Sequence, residues 1–365
     1  MVSAVLFITF FVLLVLNVPI SVCLGLSSAA AILYSGTSLT IVATNIYSGI
    51  SKFLLLAIPF FVLSGNIMAK AGISTRLIRF VDTCVGHRKG GIANVCIIVA
   101  CFFGAISGSG PATVAALGAV LIPAMVERGG FSAPFSTALM ATASSIAIVI
   151  PPSIAFVVYA SITGVSIGDM FMAGIVPGIL MGLALIVVVM LEVRKNHVVP
   201  SNVQKASAKE RLDAFKDAFW GFLMPVIILG GIYGGIFTPT EAAAVSVVYG
   251  LFVGMVIYKE VKLKDLWDIL IDSAKTTGGI MLIVACASLF SFVCTRFGIS
   301  AAASQLLAKV AGNQFTFLLI CNVIFLIAGC FIDANSAMYI FIPIMLPVCK
   351  QLGYDVVAFG IVATV

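Results

Sequence analysis

The sequence predicts an all-α polytopic membrane protein made of inverted repeats, with two re-entrant helical hairpins and broken spans. Three observations lead to this fold class. Hydrophobic residues make up 62% of the 365-residue chain and charged residues only 9%, a balance that soluble domains do not have. Apolar stretches long enough for a bilayer-crossing helix recur along the chain. Several of these stretches carry polar breaks, and two of the broken segments resemble each other at a nearly constant spacing.

The spans follow from apolar windows of about 20 residues. Residues 2–34 are expected to form the first span, bent near Asn17 and Pro19, because the segment is too long and too weakly charged at its start for a cleaved signal peptide. Further spans are predicted over residues 53–69, 132–164, 170–193, 219–237, 240–258 and 277–297, and a last one begins near residue 355.

The first hairpin is predicted over residues 92–127, an apolar tract interrupted by Ser107-Gly108-Ser109-Gly110-Pro111-Ala112-Thr113. Glycine and proline disfavour a continuous helix, and each side of the interruption is short for a crossing of about 20 residues. We therefore predict a re-entrant hairpin with Ser107, Ser109 and Thr113 at its tip. One kinked span with small residues for close helix packing is the alternative.

Two further breaks lie in apolar segments. Ser144 to Ser153, which includes Ile150-Pro151-Pro152, interrupts the predicted span over residues 132–164. Asp333-Ala334-Asn335-Ser336 interrupts residues 314–349, for which we predict the second hairpin. Backbone groups freed at such breaks must be satisfied by protein, water or an ion, since lipid offers no partner.

Two local patterns predict helix ends and surfaces. Thr238-Pro239-Thr240-Glu241 is typical of a capping box, with Thr238 as the N-cap and Glu241 bonding back to it. The apolar and acidic residues between Asp265 and Asp272 predict a short amphipathic helix at the inner membrane interface.

Loop charge predicts the orientation of the chain. The loops over residues 70–91, 127–131, 194–217 and 258–276 hold 16 of the 20 Lys and Arg residues, which places these loops in the cytoplasm. The first hairpin then enters the membrane from the cytoplasm and the second from outside. The net charge of +6 therefore reflects membrane topology and predicts no nucleic-acid partner.

An internal duplication accounts for the two hairpins. Gly72-Ile73-Ser74 recurs as Gly298-Ile299-Ser300, a shift of 226 residues that also carries Ser107 onto Asp333. Five spans separate equivalent elements, an odd number, so we expect the halves to be inverted, as in many secondary transporters. The counterpart of the Ser144–Ser153 break would fall beyond Val365. We therefore expect a truncated C-terminus; a second half without a broken span is the alternative.

The polar residues at the breaks favour transport of a cation together with an anion. Asp333 is the only acidic residue between Asp272 and Asp355, and an acidic residue inside an apolar run indicates a functional site. A proton path would need several such groups, whereas hydroxyl, amide, carboxylate and carbonyl oxygens suit Na⁺. Helix N-termini after each break favour an anionic solute that carries a carboxylate. A capping role for Asp333 is the alternative and is compatible with this function.

The sequence does not favour an enzyme or a protein with a bound cofactor. Ser109 is a conceivable nucleophile, but the apolar segments contain no His to serve as a base, and His87 lies in a cytoplasmic loop. The nine cysteines form no C-x-x-C pair and are interpreted as small apolar residues. Na⁺ is the only metal expected, as a coupling ion.

Three motifs are distinctive in combination. They are G-x-x-S-G-S-G-P-A-T-V-A-A with the following I-P-A-M, I-P-P-S-I at Ile150–Ile154, and G-G-I-Y-G-G-I-F-T-P-T-E-A-A-A-V at Gly230–Val245. With these motifs the sequence resembles a known family, the large membrane subunit of TRAP (tripartite ATP-independent periplasmic) transporters, and the resemblance covers essentially the whole chain in order. It implies an elevator-type carrier of the ion transporter superfamily, in which a transport domain moves against a scaffold.

The resemblance also implies the site residues. One sodium site would use Ser107 and Ser109 with backbone oxygens around Ile146, Val149 and Pro151. A second would lie around Asp333, Asn335 and Ser336. Seven residues of the first hairpin and the broken span are expected to face the substrate: Gly108, Gly110, Pro111, Thr113, Ser144, Ser145 and Pro152.

Domains and partners follow from the same resemblance. Residues 1–91 would form scaffold spans, 92–194 the first half of the transport domain, 195–312 a cytoplasmic linker and scaffold spans, and 313–365 an incomplete second half. The expected partners in the bacterial inner membrane are a periplasmic substrate-binding protein, a separate small four-span subunit and an organic acid. A stand-alone Na⁺/anion symporter of the same superfamily is the alternative.

Overall fold

The computed structural model describes residues 1–195 and 205–365, and within these it is helical, with no β-strand. The polar linker between the halves therefore lies partly outside the described residues. The described α-helices are α1 (Val2–Val15), α2 (Ile20–Tyr34), α3 (Thr40–Ile50), α4 (Ala57–Lys70), α5 (Ile73–Val85), α6 (Gly91–Ser107), α7 (Gly110–Glu127), α8 (Ala133–Val149), α9 (Ile154–Thr163), α10 (Ile167–Lys195), α11 (Ala208–Tyr233), α12 (Pro239–Phe252), α13 (Leu263–Arg296), α14 (Ile299–Val310), α15 (Gln314–Gly329), α16 (Ala334–Gln351) and α17 (Val356–Thr364).

Several of these helices are long and apolar enough to cross a membrane. A 3₁₀ turn over Phe53–Leu56 leads into α4, and a π turn over Val253–Ile257 extends α12. With these turns included, six helical segments of the described chain meet the length and composition of a span, and α8 with α9 form a seventh bent by 45° at its break. The prediction of an all-α polytopic membrane protein is confirmed.

The prediction of one bent span over residues 2–34 is wrong. Asn17 adopts a left-handed conformation with φ 59°, and the N–H groups of Asn17 and Val18 donate to carbonyls in the last turn of α1, which ends the helix. Pro19 then precedes α2. The Tyr34 hydroxyl donates to the Met1 sulfur at 3.3 Å, a contact that two helices in line could not make. The segment is therefore a pair of short antiparallel helices.

The predicted amphipathic helix at Asp265–Asp272 and the predicted span over residues 277–297 form one helix. No proline lies between them, and α13 runs through Ser273, Thr276 and Gly278 without a break, for 34 residues in all. The Thr238 capping box is confirmed: the Thr238 side chain accepts from the Glu241 N–H, and Glu241 accepts from the Thr238 N–H at 2.8 Å.

The duplication is visible in the order and spacing of the helices. Gly72 and Gly298 each precede an amphipathic helix. Both glycines adopt a left-handed conformation, with φ 69° and 71°. The helices α5, α6, α7 and α8 begin at residues 73, 91, 110 and 133, and α14, α15, α16 and α17 begin at 299, 314, 334 and 356. The four shifts lie between 223 and 226 residues, so each half repeats the series of a short amphipathic helix, two hairpin arms and a following helix.

The chain divides into two compact units. The first contains residues 1–56, 157–166 and 275–364, and the second contains residues 57–156, 167–274 and Val365. The second hairpin belongs to the first unit and the first hairpin to the second. Large side chains fill each core: Phe317 packs on Phe359 in one, and Phe61 on Phe171 in the other.

Candidate functional site

Helices α6 and α7 form the first hairpin, as predicted. Gly129, just after α7, lies so close to the start of α6 that a Cβ on it would be 2.5 Å from Ile92 Cγ2. The turn is made by Gly108, which ends α6 with φ 60°, a conformation that other residues adopt only at a cost. Ser109 then precedes α7, whose second residue is Pro111.

Hydroxyl groups at this tip bond mainly to one another. The Ser107 and Thr113 hydroxyls, on two buried residues, are 3.1 Å apart, and Thr113 donates to the Ser109 carbonyl at 2.9 Å. The Ser109 hydroxyl is different, since it makes no hydrogen bond to any residue that the structure describes. Ser109 is therefore the hydroxyl of this tip that is free to bind a ligand.

The tip packs against the break between α8 and α9. The Gly108 carbonyl accepts from the Ile154 N–H at 3.3 Å. A Cβ on Gly108 would lie 2.7 Å from the Pro152 carbonyl oxygen, and one on Gly110 would lie 3.3 Å from the Ser144 carbonyl oxygen. Residues 151–153 are buried. Four predicted residues, Gly108, Gly110, Ser144 and Pro152, are thus brought together around carbonyl oxygens.

The other predicted oxygens of the broken span make contacts within α8 or with α10. The Ile146 carbonyl accepts from Ile150 N–H at 2.8 Å within α8. The Val149 carbonyl oxygen faces α10, 2.5 Å from where a Cβ on Gly174 would lie. Ser144 and Ser145 each donate their hydroxyl at 2.7 Å to a carbonyl of the preceding turn. Pro151 is buried beside the break, whereas Pro111 is exposed at the start of α7.

Helices α15 and α16 form the second hairpin. The Gln314 side chain at its start donates to the Leu352 carbonyl at its end, at 2.9 Å. Asp333 at the tip is the N-cap of α16 and accepts from the N–H groups of Asn335 at 3.0 Å and Ser336 at 3.3 Å, and from the Ser336 hydroxyl. The expected capping role of Asp333 is confirmed.

One oxygen at the second tip has no partner. The Asn335 Oδ1 atom is buried and accepts no hydrogen bond from the described residues. Because burying an unsatisfied carbonyl oxygen is costly, such an atom is a candidate ligand for a cation. The exposed Asp333 carboxylate lies two residues earlier in the chain and accepts from the N–H groups of Asn335 and Ser336.

Sequence reasoning missed the residues that hold the elements around the tips. In one unit, Gly65 of α4 lies against Ser107, with a Cβ on Gly65 3.2 Å from Ser107 Cα. In the other unit, Lys52 donates to the Ser161 carbonyl at 2.6 Å, and the Tyr339 and Ser161 hydroxyls are 3.0 Å apart. Nothing in the sequence near these residues marks them, apart from the charge of Lys52 in an apolar setting.

The available chemistry is that of oxygen ligands without a transition-metal site. Within the described residues, no three His, Cys, Asp or Glu side chains group so as to hold a metal ion. The hairpins offer Ser109, Asn335 and Asp333 oxygens, and α7 and α16 begin at the tips, where helix N-termini carry partial positive charge. Hard oxygen donors bind alkali cations, and helix N-termini attract anions.

The comparisons with known proteins point to one family. Residues 7–365 match the family described as "Tripartite ATP-independent periplasmic transporter, DctM component". The chain is 41% identical over 345 residues to the C4-dicarboxylate TRAP transporter large permease protein DctM of Pseudomonas aeruginosa, covering 94% of this chain and 80% of that protein. It is 36% identical over 349 residues to the 2,3-diketo-L-gulonate TRAP transporter large permease protein YiaN of Escherichia coli. That match covers 93% of this chain and 81% of that protein. It is 40% identical over 362 residues to the isethionate TRAP transporter permease protein DctMQ of Oleidesulfovibrio alaskensis. That match covers 99% of this chain and 57% of that protein.

Proposed function

The chain belongs to the DctM family of TRAP transporter large membrane components, and on that premise we propose that it imports a carboxylate-bearing organic anion driven by Na⁺. The proposal places the chain in the bacterial inner membrane. Membership of a transporter family also fits the expectation that the chain is not an enzyme.

The observation that carries the sodium proposal is the pair of free oxygens at the hairpin tips. Ser109 Oγ at the first tip has no partner among the described residues, and neither has the buried Asn335 Oδ1 at the second. Each would supply one ligand to a separate Na⁺ site, with Asp333 and Ser336 completing the second. At the first site, the Ser144 and Pro152 carbonyls lie against the tip, whereas the Val149 carbonyl faces α10.

The choice of Na⁺ over H⁺ rests on the ionisable groups. Between Asp272 and Asp355 the chain contains a single acidic residue, Asp333. A proton relay through a membrane uses a series of such groups, whereas a Na⁺ site needs one carboxylate or none. Na⁺ would be bound as a transported ion, together with the substrate.

The proposed motion is that of an elevator. The tip of the first hairpin and the break of the span that follows it interlock through Gly108, Pro152 and Ile154, so these elements would move together. Residues 92–194 and 313–365 would form the moving domain, and residues 1–91 and 195–312 the scaffold and linker.

The proposed partners are a small membrane subunit and a periplasmic binding protein, and the proposed substrate is an organic acid. Relatives are named for C4-dicarboxylate and for 2,3-diketo-L-gulonate, both carboxylates. The alternative, a symporter that acts without a binding protein, predicts the same uptake when the binding protein is omitted from the assay. The present proposal predicts that uptake then falls to background.

The sodium site is tested by a substitution that separates charge from capping. Asn is as good an N-cap as Asp, so Asp333→Asn keeps the backbone bonds of α16 while removing the carboxylate charge. Asp355 caps α17 through a bond of 2.8 Å from Ala358 N–H, which makes Asp355→Asn the matched control. Both variants would be reconstituted in proteoliposomes with the two partner proteins.

We expect Asp333→Asn to weaken the stimulation of uptake by a sodium gradient, with the midpoint of thermal unfolding unchanged, and Asp355→Asn to leave both unchanged. Ser109→Ala should also weaken sodium stimulation, because it removes the free hydroxyl. If Asp333→Asn and Ser109→Ala both keep the sodium dependence of the unmodified protein, the site assignment is wrong.

A further inference from the structure

The first turns of α13 expose an apolar stripe on one side. Leu263, Trp267 and Leu270 lie four and three residues apart, which puts them on one side of a helix, and 76%, 69% and 48% of their surfaces are exposed. The other side of the same turns is anchored: Leu266 and Ile269 pack into the core of the second unit. The orientation of the stripe is therefore set by packing, and nothing in the described chain covers it.

Three lysines flank the stripe at the start of the helix. Lys259, Lys262 and Lys264 lie within six residues, all are exposed, and none forms an ion pair with a described residue. The two acidic residues among them are already engaged. Glu260 pairs with Arg76, and the Asp265 carboxylate accepts from the Lys262 backbone N–H at 2.9 Å. The lysine side chains thus present positive charge beside the apolar stripe.

The acidic residues further along α13 point away from the stripe. At about 100° per residue, Asp268 and Asp272 lie roughly 140° and 180° around the helix from Leu263. Lys264, about 100° from Leu263, borders the stripe on the side nearer Asp268, and Lys259 and Lys262 precede the helix. The stripe and these lysines together form what we call the α13 surface: Lys259, Lys262, Leu263, Lys264, Trp267 and Leu270.

The length of α13 places this surface at the edge of the membrane. The helix has 34 residues, about 51 Å at 1.5 Å per residue, against a hydrocarbon core of about 30 Å. Its charged residues are concentrated before Thr276, so the excess length lies at that end, which loop charge places in the cytoplasm. Tryptophan at such a boundary is typical of the headgroup layer.

We propose that the α13 surface binds anionic phospholipid of the cytoplasmic leaflet. The lysine ammonium groups contact the lipid phosphates, Trp267 lies at the level of the lipid backbone, and Leu263 and Leu270 contact the upper acyl chains. Charge complementarity favours this occupant over a partner protein, since a membrane helix docked on the stripe would have to desolvate three unpaired lysines.

The two tryptophans of the chain, Trp220 and Trp267, make the proposal testable by fluorescence. Trp220→Phe leaves Trp267 as the only reporter in the full chain, reconstituted in vesicles of phosphatidylcholine with a minority of phosphatidylglycerol. The quencher is a bromine atom near the top of a lipid acyl chain. One sample contains brominated phosphatidylglycerol, and a second contains the same amount of brominated phosphatidylcholine instead. We expect stronger quenching by brominated phosphatidylglycerol.

The lysines are tested by changing them together to glutamine. Each is expected to contribute up to roughly fivefold to the preference for anionic lipid, so Lys259→Gln, Lys262→Gln and Lys264→Gln combined should abolish it while leaving quenching by phosphatidylcholine. The control variant, Lys309→Gln with Lys350→Gln, changes lysines that lie in none of the four loops predicted to be cytoplasmic and should keep the preference.

Three outcomes would overturn the proposal. One is equal quenching by the two brominated lipids. Another is quenching by aqueous acrylamide alone, which would place Trp267 in water. The third is protection from every quencher, which would mean that protein covers the stripe. If Trp220→Phe fails to fold, retention of phosphatidylglycerol during detergent dilution, measured by native mass spectrometry on the unmodified chain and the glutamine variant, decides the same question.

Discussion

Replacing Gly108 by alanine tests the contact on which the proposed site depends. Gly108 has φ 60°, and a Cβ there would lie 2.7 Å from the Pro152 carbonyl oxygen, a backbone atom that cannot rotate away. The substitution therefore adds two separate costs. One is the left-handed conformation, and the other is the clash with the break between α8 and α9.

Gly164 provides the matched control for the first cost. It also has a left-handed conformation, with φ 79°, but a Cβ there would meet no atom within 4 Å. The conformational cost is about 1–2 kcal/mol and should be common to both variants. Overfilling a packed site adds typically about 1–3 kcal/mol, which only Gly108→Ala should show.

The measurements are thermal unfolding of the purified protein in detergent and uptake in proteoliposomes that contain both partner proteins. We expect Gly164→Ala to lower the unfolding midpoint slightly and to leave uptake nearly unchanged. Gly108→Ala should unfold at a clearly lower temperature and lose most uptake, since the tip can no longer seat against Pro152 and Ile154. Equal unfolding midpoints and equal uptake in the two variants would refute the interlocked tip.

Three further predictions concern helix ends and contacts within one unit. Thr238→Ala should lower the free energy of unfolding by about 1 kcal/mol, measured by denaturant titration, because it removes one half of a capping box. Asp82 and Arg128 form an exposed ion pair at 3.2 Å, so a double-mutant cycle should give a coupling of about 0.2–1 kcal/mol that shrinks as salt is added. A Cβ on Gly49 would lie 2.7 Å from Ser288 Cβ, so Gly49→Ala should cost about 1–3 kcal/mol, and adding Ser288→Gly should restore part of the loss. If Gly49→Ala with Ser288→Gly is no more stable than Gly49→Ala alone, the strain does not come from the contact with Ser288.

Much of the fold could be predicted because local chemistry decides it. Gly108 and Pro111 end one helix and begin the next whatever surrounds them, so the first hairpin was predictable from its tip. The Thr238 capping box involves residues three apart and likewise needs no tertiary information. The repeat of Gly72 at Gly298 predicted the second series of helices from the first.

The errors arose where the same residues allow two outcomes. Asn17 and Pro19 mark a break in an apolar segment, but a bend and a reversal leave the same pattern, and only the packing of α1 against α2 selects the reversal. The segment from Asp265 to Arg296 changes composition halfway, which predicted two helices. The segment also contains Thr276 and Gly278, which can mark a helix boundary, but the structure continues through them as one helix.

By itself the sequence determined that this chain is a membrane protein with two broken hairpins and with oxygen-bearing residues at both tips, because hydropathy, glycine, proline and capping act over a few residues. Only the tertiary structure decided which oxygens are free. Ser144 and Ser145 bond to their own helix, the Val149 carbonyl faces α10, and Ser109 and Asn335 keep an unpaired oxygen. Whether an oxygen bonds within its own helix, faces a neighbouring helix or stays unpaired depends on how the helices pack, which no short stretch of sequence specifies.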